Sequence, residues 1–140
     1  MSDRFCPECG IKVSKKNTTG YCNKHYQIAM KKRRVDEWLK TGILPIGANT
    51  RPRGYVREHI MQEQNNKCAI CGIDNLWNKL ELIFVLDHLD GQSINNHRDN
   101  LRMICPNCDS QLDTFKSKNK NSTRTYDKEY RKNNSIKNGG

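Results

Sequence analysis

The sequence predicts a small α+β fold whose apolar core is too small to hold it together unaided. The chain has 140 residues, of which 34% are hydrophobic, and its mean hydropathy is −0.94. Apolar residues at helical spacing alternate with a few short apolar runs, a pattern typical of mixed helices and strands. Since such a chain buries little apolar surface, we expect a further cross-link to stabilise it.

Seven cysteines can supply that cross-link. No stretch resembles a secretion signal or a transmembrane segment, so we expect a reducing, cytoplasmic compartment, where metal binding is commoner than disulfide formation. Two quartets with metal-ligand spacing are present: Cys68, Cys71, Cys105 and Cys108; and Cys6, Cys9, Cys22 and His25. Each suits tetrahedral Zn²⁺ with no open position, which is typical of structural sites. Redox pairs or disulfides are the alternative interpretation.

The N-terminal quartet is followed by a predicted helix over about 23–41, with Gly42 as its stop signal. The next segment, 43–53, is rich in Pro and Gly and is predicted to be a linker. Six basic residues on the helix and linker are candidates for contact with a phosphate backbone: Lys31, Lys32, Arg33, Arg34, Arg51 and Arg53.

The second half of the sequence predicts four secondary-structure elements, taken in chain order. A helix over 54–64 precedes Cys68, and the apolar run 82–86 predicts a buried strand. A second short strand follows over 101–104, and a short helix runs from Cys105 to about Phe115. The last residues are rich in Lys, Asn and Ser, which predicts a disordered basic tail. The expected domains are thus an N-terminal finger with its helix (1–42), the linker (43–53), a second metal-bound domain (54–116) and the tail (117–140).

Charge is unevenly distributed along the chain. Residues 11–53 carry eleven Lys and Arg against two acids, and residues 116–140 carry eight against two. Residues 54–115 carry five against nine. Basic flanks suit a phosphate backbone, and an acidic middle suits a cation. Solvated basic faces are the plainer alternative.

A candidate cleavage site lies within this acidic middle. Asp87 and His88 follow the predicted strand, and Asp109 follows Cys108 directly. Because a four-thiolate cluster would tie the two ends of this segment together, we expect Asp87 and Asp109 to share a hard cation beside His88. Asp109 has a simpler alternative role, as an acid at a helix N-terminus.

Residues 54–120 resemble the HNH nuclease family, whose fold is a treble-clef-like ββα-metal finger. The matching motifs are CxxCG at 68–72, Leu86-Asp87-His88-Leu89-Asp90-Gly91, Asn95-Asn96, Asn100-Leu101-Arg102 and Cys105-Pro106-Asn107-Cys108. The N-terminal quartet more weakly resembles small cysteine units that precede HNH domains in phage-encoded nucleases. The resemblance therefore implies a phage- or homing-type enzyme, which would act in the host cytoplasm.

The resemblance also implies a role for each residue. His88 corresponds to the general base and Asp87 to a metal ligand. Asn100 corresponds to the middle letter, which orients the loop and the catalytic His. Asp109 stands at the third letter, where His or Asn is common, and a second carboxylate there favours Mg²⁺ or Mn²⁺. The implied reaction is one-metal hydrolysis of double-stranded DNA, leaving 5′-phosphate and 3′-hydroxyl ends.

Two other functions remain open from the sequence. A non-catalytic zinc-finger protein that binds DNA or assists its packaging would explain the charge and the cysteines equally well. A junction-resolving recombination endonuclease would share the cysteine framework and an Asp-His pair. The chain could act as a monomer or as a homodimer, and no membrane partner is expected.

Overall fold

The computed structural model describes residues 2–44 and 54–120. The chain divides into two compact units, Met1–Thr41 and Gly42–Gly140. Most of the predicted linker, including Arg51 and Arg53, and residues 121–140 of the predicted tail lie outside the described residues. None of the helices within the described ranges is long and apolar enough to cross a membrane.

The first unit is a small hairpin followed by one long helix. Strands β1 (Arg4–Phe5) and β2 (Lys12–Val13) pair antiparallel. Helix α1 (Asn23–Thr41) agrees with the predicted bounds. It ends where Gly42 adopts a φ of +66°, a conformation that favours glycine and closes many helices.

Within its described residues, the second unit contains two α-helices, two hairpins and two single-turn 3₁₀ segments, Arg98–Asn100 and Lys116–Lys118. Its elements are α2 (Gly54–Glu63), β3 (Leu76–Trp77), β4 (Leu80–Glu81), β5 (Val85–His88), β6 (Leu101–Ile104) and α3 (Pro106–Ser110). Asn78 and Lys79 join β3 to β4. Their φ angles are both positive, at +51° and +64°, as is common for the two central residues of a tight hairpin turn. The pairing of β5 with β6 places Asp87 opposite Arg102 and His88 opposite Leu101.

The core of the second unit lies between α2 and the β5–β6 hairpin. Its fully or nearly buried apolar side chains are Val56, Ile60, Phe84, Leu101, Met103 and Ile104. Burying each such side chain contributes roughly 1.5–3 kcal/mol. The Gln64 side chain, just beyond α2, accepts a hydrogen bond from the Met103 N–H and donates one to the Met103 carbonyl. This amide aligns the helix end with β6, the strand that leads into Cys105.

Two predicted elements differ from the structure. The run 82–86 is not one buried strand, since β5 begins at Val85 and Ile83 is 76% exposed. Leu82 still belongs to the preceding hairpin, because its N–H donates to the Asn75 carbonyl. The short helix ends at Ser110 rather than near Phe115. Beyond Ser110, Leu112 and Phe115 bond three residues back, as in isolated turns, so no helix continues.

Candidate active site

All four cysteines of the second unit meet at one point. Their sulfur atoms lie within 4.8 Å of one another. Cys68 and Cys71 lie in a tight turn closed by the Gly72 N–H on the Cys68 carbonyl, and the Cys105 N–H donates to the Cys68 Sγ at 3.3 Å. This arrangement fits one tetrahedral Zn²⁺, as predicted.

The thiol pKa values also fit a cation at this point. Burial and, to a smaller extent, the neighbouring thiols Cys105, Cys71 and Cys68 together raise the pKa of Cys108 to about 12. Burial also acts on Cys68, but backbone N–H groups outweigh it and lower the pKa of that thiol to about 6. With a pKa of about 12, the Cys108 thiol would not ionise near neutral pH without a compensating positive charge, which Zn²⁺ would supply.

The N-terminal quartet forms an equivalent cluster in the first unit. Its four ligand atoms also lie within 4.8 Å of one another. The His25 Nδ1 lies 3.5 Å from the Cys6 Sγ and 3.3 Å from the Cys22 Sγ, so Nδ1 is the nitrogen that would bind the metal. All seven cysteines are free thiols, which opposes the disulfide alternative. The two clusters therefore fit two structural zinc ions.

The three predicted cleavage residues lie on β5 and α3 of the second unit. Asp87 and His88 end β5, and Asp109 lies on α3 immediately after Cys108. Burial raises the pKa of Asp109, the charge of Asp87 raises it further, and Lys116 opposes both. The two carboxylates are thus near enough to repel each other, a situation that a shared divalent cation would relieve.

Two carboxylates do not make a complete protein cage for a cation. Within the described ranges, the groups of three or more metal-ligand side chains are the two cysteine clusters. A cation held by Asp87 and Asp109 would therefore take its other ligands from water or a bound phosphate. Mg²⁺ commonly binds in this way, through one or two carboxylates, waters and substrate oxygens.

Arg102, which was not predicted to be a site residue, contacts the candidate metal ligand Asp87 directly. Its Nε donates to the Asp87 Oδ2 at 2.8 Å, and Asp87 is only 8% exposed. Arg102 therefore balances the charge of a buried carboxylate. The signal that could have identified it is the strand register, which places Arg102 opposite Asp87.

Asn100 belongs to a hydrogen-bonded network that shapes the loop between β5 and β6. Its Oδ1 accepts from the Asp90 N–H, and its Nδ2 donates to the Asp90 Oδ1 and the Asn95 carbonyl. The Asp90 carboxylate also accepts from the Asn95 Nδ2 and the Gln92 N–H. The hydrogen bonds that hold this loop are therefore shared between Asn100 and Asp90, and Asp90 was not predicted to be a site residue.

We expect Asp90→Asn to destabilise the second unit. Burial raises the pKa of Asp90, but hydrogen bonds from Asn95, Gln92 and Asn100 outweigh it and hold that pKa below its ordinary value of 3.8. Losing these charge-assisted bonds should cost about 1.5–3 kcal/mol of unfolding free energy. Because the pKa of Asp90 is lower in the folded protein than in the unfolded chain, its carboxylate stabilises the fold fully at pH values above the unfolded-chain pKa, and this stabilisation is lost as the pH falls below it. The difference in unfolding free energy between Asp90→Asn and the wild type should therefore stay constant from about pH 8 to pH 5. Denaturant unfolding of both proteins across that range measures it, and a deficit that changes within the range would contradict this assignment.

Four of the six residues predicted to contact a phosphate backbone lie within the described ranges. Lys31, Lys32, Arg33 and Arg34 are exposed on α1. Lys32 and Arg33 line an open groove of about 730 Å³, together with the acidic Asp36 and Glu37. The mixed lining gives this groove no clear preference for a polyanion, so contact between α1 and DNA stays a prediction.

Comparison with known proteins finds a partial match to a phage protein. The chain matches no protein-family profile and no solved structure. Over 54 residues, 39% of the chain, it is 39% identical to the "H-N-H endonuclease F-TflIV" of Escherichia phage T5. The match covers 23% of the length of that protein. The chain is thus a small α+β protein with two cysteine clusters that fit zinc, and part of it is similar to a phage H-N-H endonuclease.

Proposed function

We propose that this chain is a metal-dependent HNH DNA endonuclease. The observation that carries the proposal is the proximity of Asp87, which precedes His88 at the end of β5, to Asp109 on α3, close enough for the two carboxylates to repel each other. These are the residue types that phosphodiester hydrolysis needs: a base, and carboxylates to hold a hard cation. The partial similarity to a phage H-N-H endonuclease supports the same reaction and makes DNA the expected substrate.

Each residue has a distinct task in the proposed reaction. His88 takes a proton from water, whose oxygen then bonds to phosphorus. The P–O3′ bond breaks with its electron pair on O3′, and a solvent proton completes the 3′-hydroxyl, leaving a 5′-phosphate. A Mg²⁺ or Mn²⁺ ion held by Asp87 and Asp109 would stabilise negative charge on the phosphate and the departing oxygen. Asn100 and Asp90 hold the loop that follows His88.

We also propose a fold for the segment that carries these residues. β5, β6 and α3 would form the ββα-metal finger, with the four-cysteine cluster holding α3 to the turn at Cys68 and Cys71. The boundaries of the nuclease domain (54–116), the N-terminal finger and helix (1–42), the linker and the tail remain as proposed from the sequence. Lys31 to Arg34, Arg51 and Arg53 are the proposed contacts with the backbone of double-stranded DNA.

The proposal predicts metal-dependent nicking that responds to both carboxylates. Supercoiled plasmid should be nicked or linearised with Mg²⁺ or Mn²⁺ and not with EDTA. Asp87→Asn and Asp109→Asn should each require at least about tenfold more metal for half-maximal cleavage, because each removes a charged oxygen ligand. Asp99→Asn, an exposed acid in the same segment, serves as the matched control and should leave the metal requirement unchanged.

The result also separates the alternative functions. DNA binding without cleavage in any divalent metal would contradict the nuclease proposal and favour an accessory DNA-binding protein. Strong preference for branched over linear duplex would favour a junction-resolving enzyme. If Asp109→Asn behaved like Asp99→Asn, then Asp109 would be a helix N-terminal acid rather than a metal ligand.

A further inference from the structure

His88 contacts a side chain in the β5–β6 loop that has no role in the reaction proposed above. Its Nε2 lies 3.0 Å from the Asn96 Oδ1. Among the described residues, no hydrogen bond reaches the other ring nitrogen, Nδ1. A neutral imidazole carries one proton, and the partner of one nitrogen decides which nitrogen holds it.

The Asn96 amide faces His88 with its oxygen. Its Nδ2 is directed to the Ile94 carbonyl at 3.5 Å. The opposite orientation would bring two oxygen acceptors together at that distance, which is unfavourable. Since Oδ1 can only accept, the proton between the two side chains lies on the His88 Nε2.

The neighbouring residue holds Asn96 in place. The Asn95 Nδ2 donates to the Asp90 Oδ2 at 2.7 Å, and the Asn95 carbonyl accepts from the Asn100 Nδ2 at 2.9 Å. The Asn95 N–H also donates to the Gln92 carbonyl. Two of these bonds hold the Asn95 backbone and the third holds its side chain, and this places the next side chain against the imidazole.

We propose that Asn96 is a positioning residue that holds His88 in the Nε2–H tautomer and so presents Nδ1 as the atom that takes the proton from water. This inference rests on the proposed role of His88 as the general base. It also gives the Asp90–Asn95–Asn100 network a function beyond loop shape, since the network acts on His88 through Asn96.

The test combines imidazole NMR with single-turnover cleavage. In protein with ¹⁵N-labelled histidine at about pH 8.5, long-range ¹H–¹⁵N spectra report the tautomer of each neutral ring. Comparison with His88→Ala assigns the His88 signals among the four histidines of the chain. We expect the Nε2–H form in the wild type and a mixture in Asn96→Ala. The cleavage rate constant should fall about tenfold or more in Asn96→Ala, with KM and zinc content unchanged.

Two further variants separate positioning from a general effect on the loop. Asn96→Asp keeps an oxygen acceptor for Nε2–H, so it should retain the tautomer and recover most of the rate. Ile94→Ala is the matched control, because Ile94 is 72% exposed and contributes only its backbone carbonyl to the contact. It should behave as wild type in both measurements.

The outcomes distinguish this inference from the proposed function. An unchanged tautomer in Asn96→Ala overturns the inference, whatever the rate. A mixed tautomer with an unchanged rate also overturns it, since Nδ1 would then not be the basic atom. Absence of cleavage by the wild type contradicts the proposed function itself, while the tautomer measurement still decides whether Asn96 orients the ring. Full cleavage by His88→Ala overturns the role of His88 as the base and, with it, this inference.

Discussion

Replacing His88 with alanine should lower the rate of DNA cleavage by about a hundredfold to ten-thousandfold, the usual contribution of a positioned general base. His88 is half-buried at the end of β5, where its position follows from strand pairing with Leu101. Removing the imidazole leaves water without a proton acceptor, but it leaves the cysteine cluster and both carboxylates in place. The expected loss is therefore in the rate constant rather than in folding or metal content.

The measurement is single-turnover nicking of supercoiled plasmid at saturating Mg²⁺ and Mn²⁺. His97→Ala provides the control, because it removes an exposed histidine from the loop that follows β5. Zinc content and thermal unfolding should match the wild type in both variants. Added imidazole should restore part of the activity of His88→Ala, since a small base can enter the space left by the side chain. Equal cleavage by His88→Ala and wild type would remove His88 from the mechanism.

The sequence predicted the parts of the fold that depend on local spacing. Both metal-ligand quartets could be predicted from the sequence spacing of the cysteines and His25, and the structure brings each quartet together. Helix α1 was predicted with its observed bounds, because Gly42 supplies an unambiguous stop. These features need only a short motif or a single residue to specify them.

The parts that were wrong or missed depend on pairing between distant segments. Leu82 and Ile83 resemble strand residues, yet the hairpin before β5 takes Leu82 and leaves Ile83 exposed. Arg102 reaches Asp87 because of the β5–β6 register, and composition does not specify a register. Likewise, the contact of Asn96 with His88 depends on a loop conformation that Asp90 and Asn100 impose over a distance of ten residues.

The second large effect concerns the four-cysteine cluster. Cys105 is buried between β6 and α3, and its N–H donates to the Cys68 Sγ. Zinc binding to such sites is worth about 10–16 kcal/mol near neutral pH, which equals or exceeds the net stability of a typical domain. Cys105→Ser should therefore lose one zinc ion per chain, unfold the second unit and abolish cleavage.

Every cysteine of the chain belongs to a cluster, so the matched control is a ligand of the other one. Cys22→Ser should also lose one zinc ion, but the amide resonances of residues 54–120 should keep their folded dispersion, because the two clusters lie in separate units. Elemental analysis gives the zinc content, and ¹H–¹⁵N spectra give the folding of each unit.

If Cys105→Ser kept a folded second unit, the buried thiols would not depend on a cation. The raised pKa of Cys108 would then simply reflect a neutral thiol in the core. If Cys22→Ser unfolded both units, the two clusters would be coupled, and the second unit would need the first in order to fold.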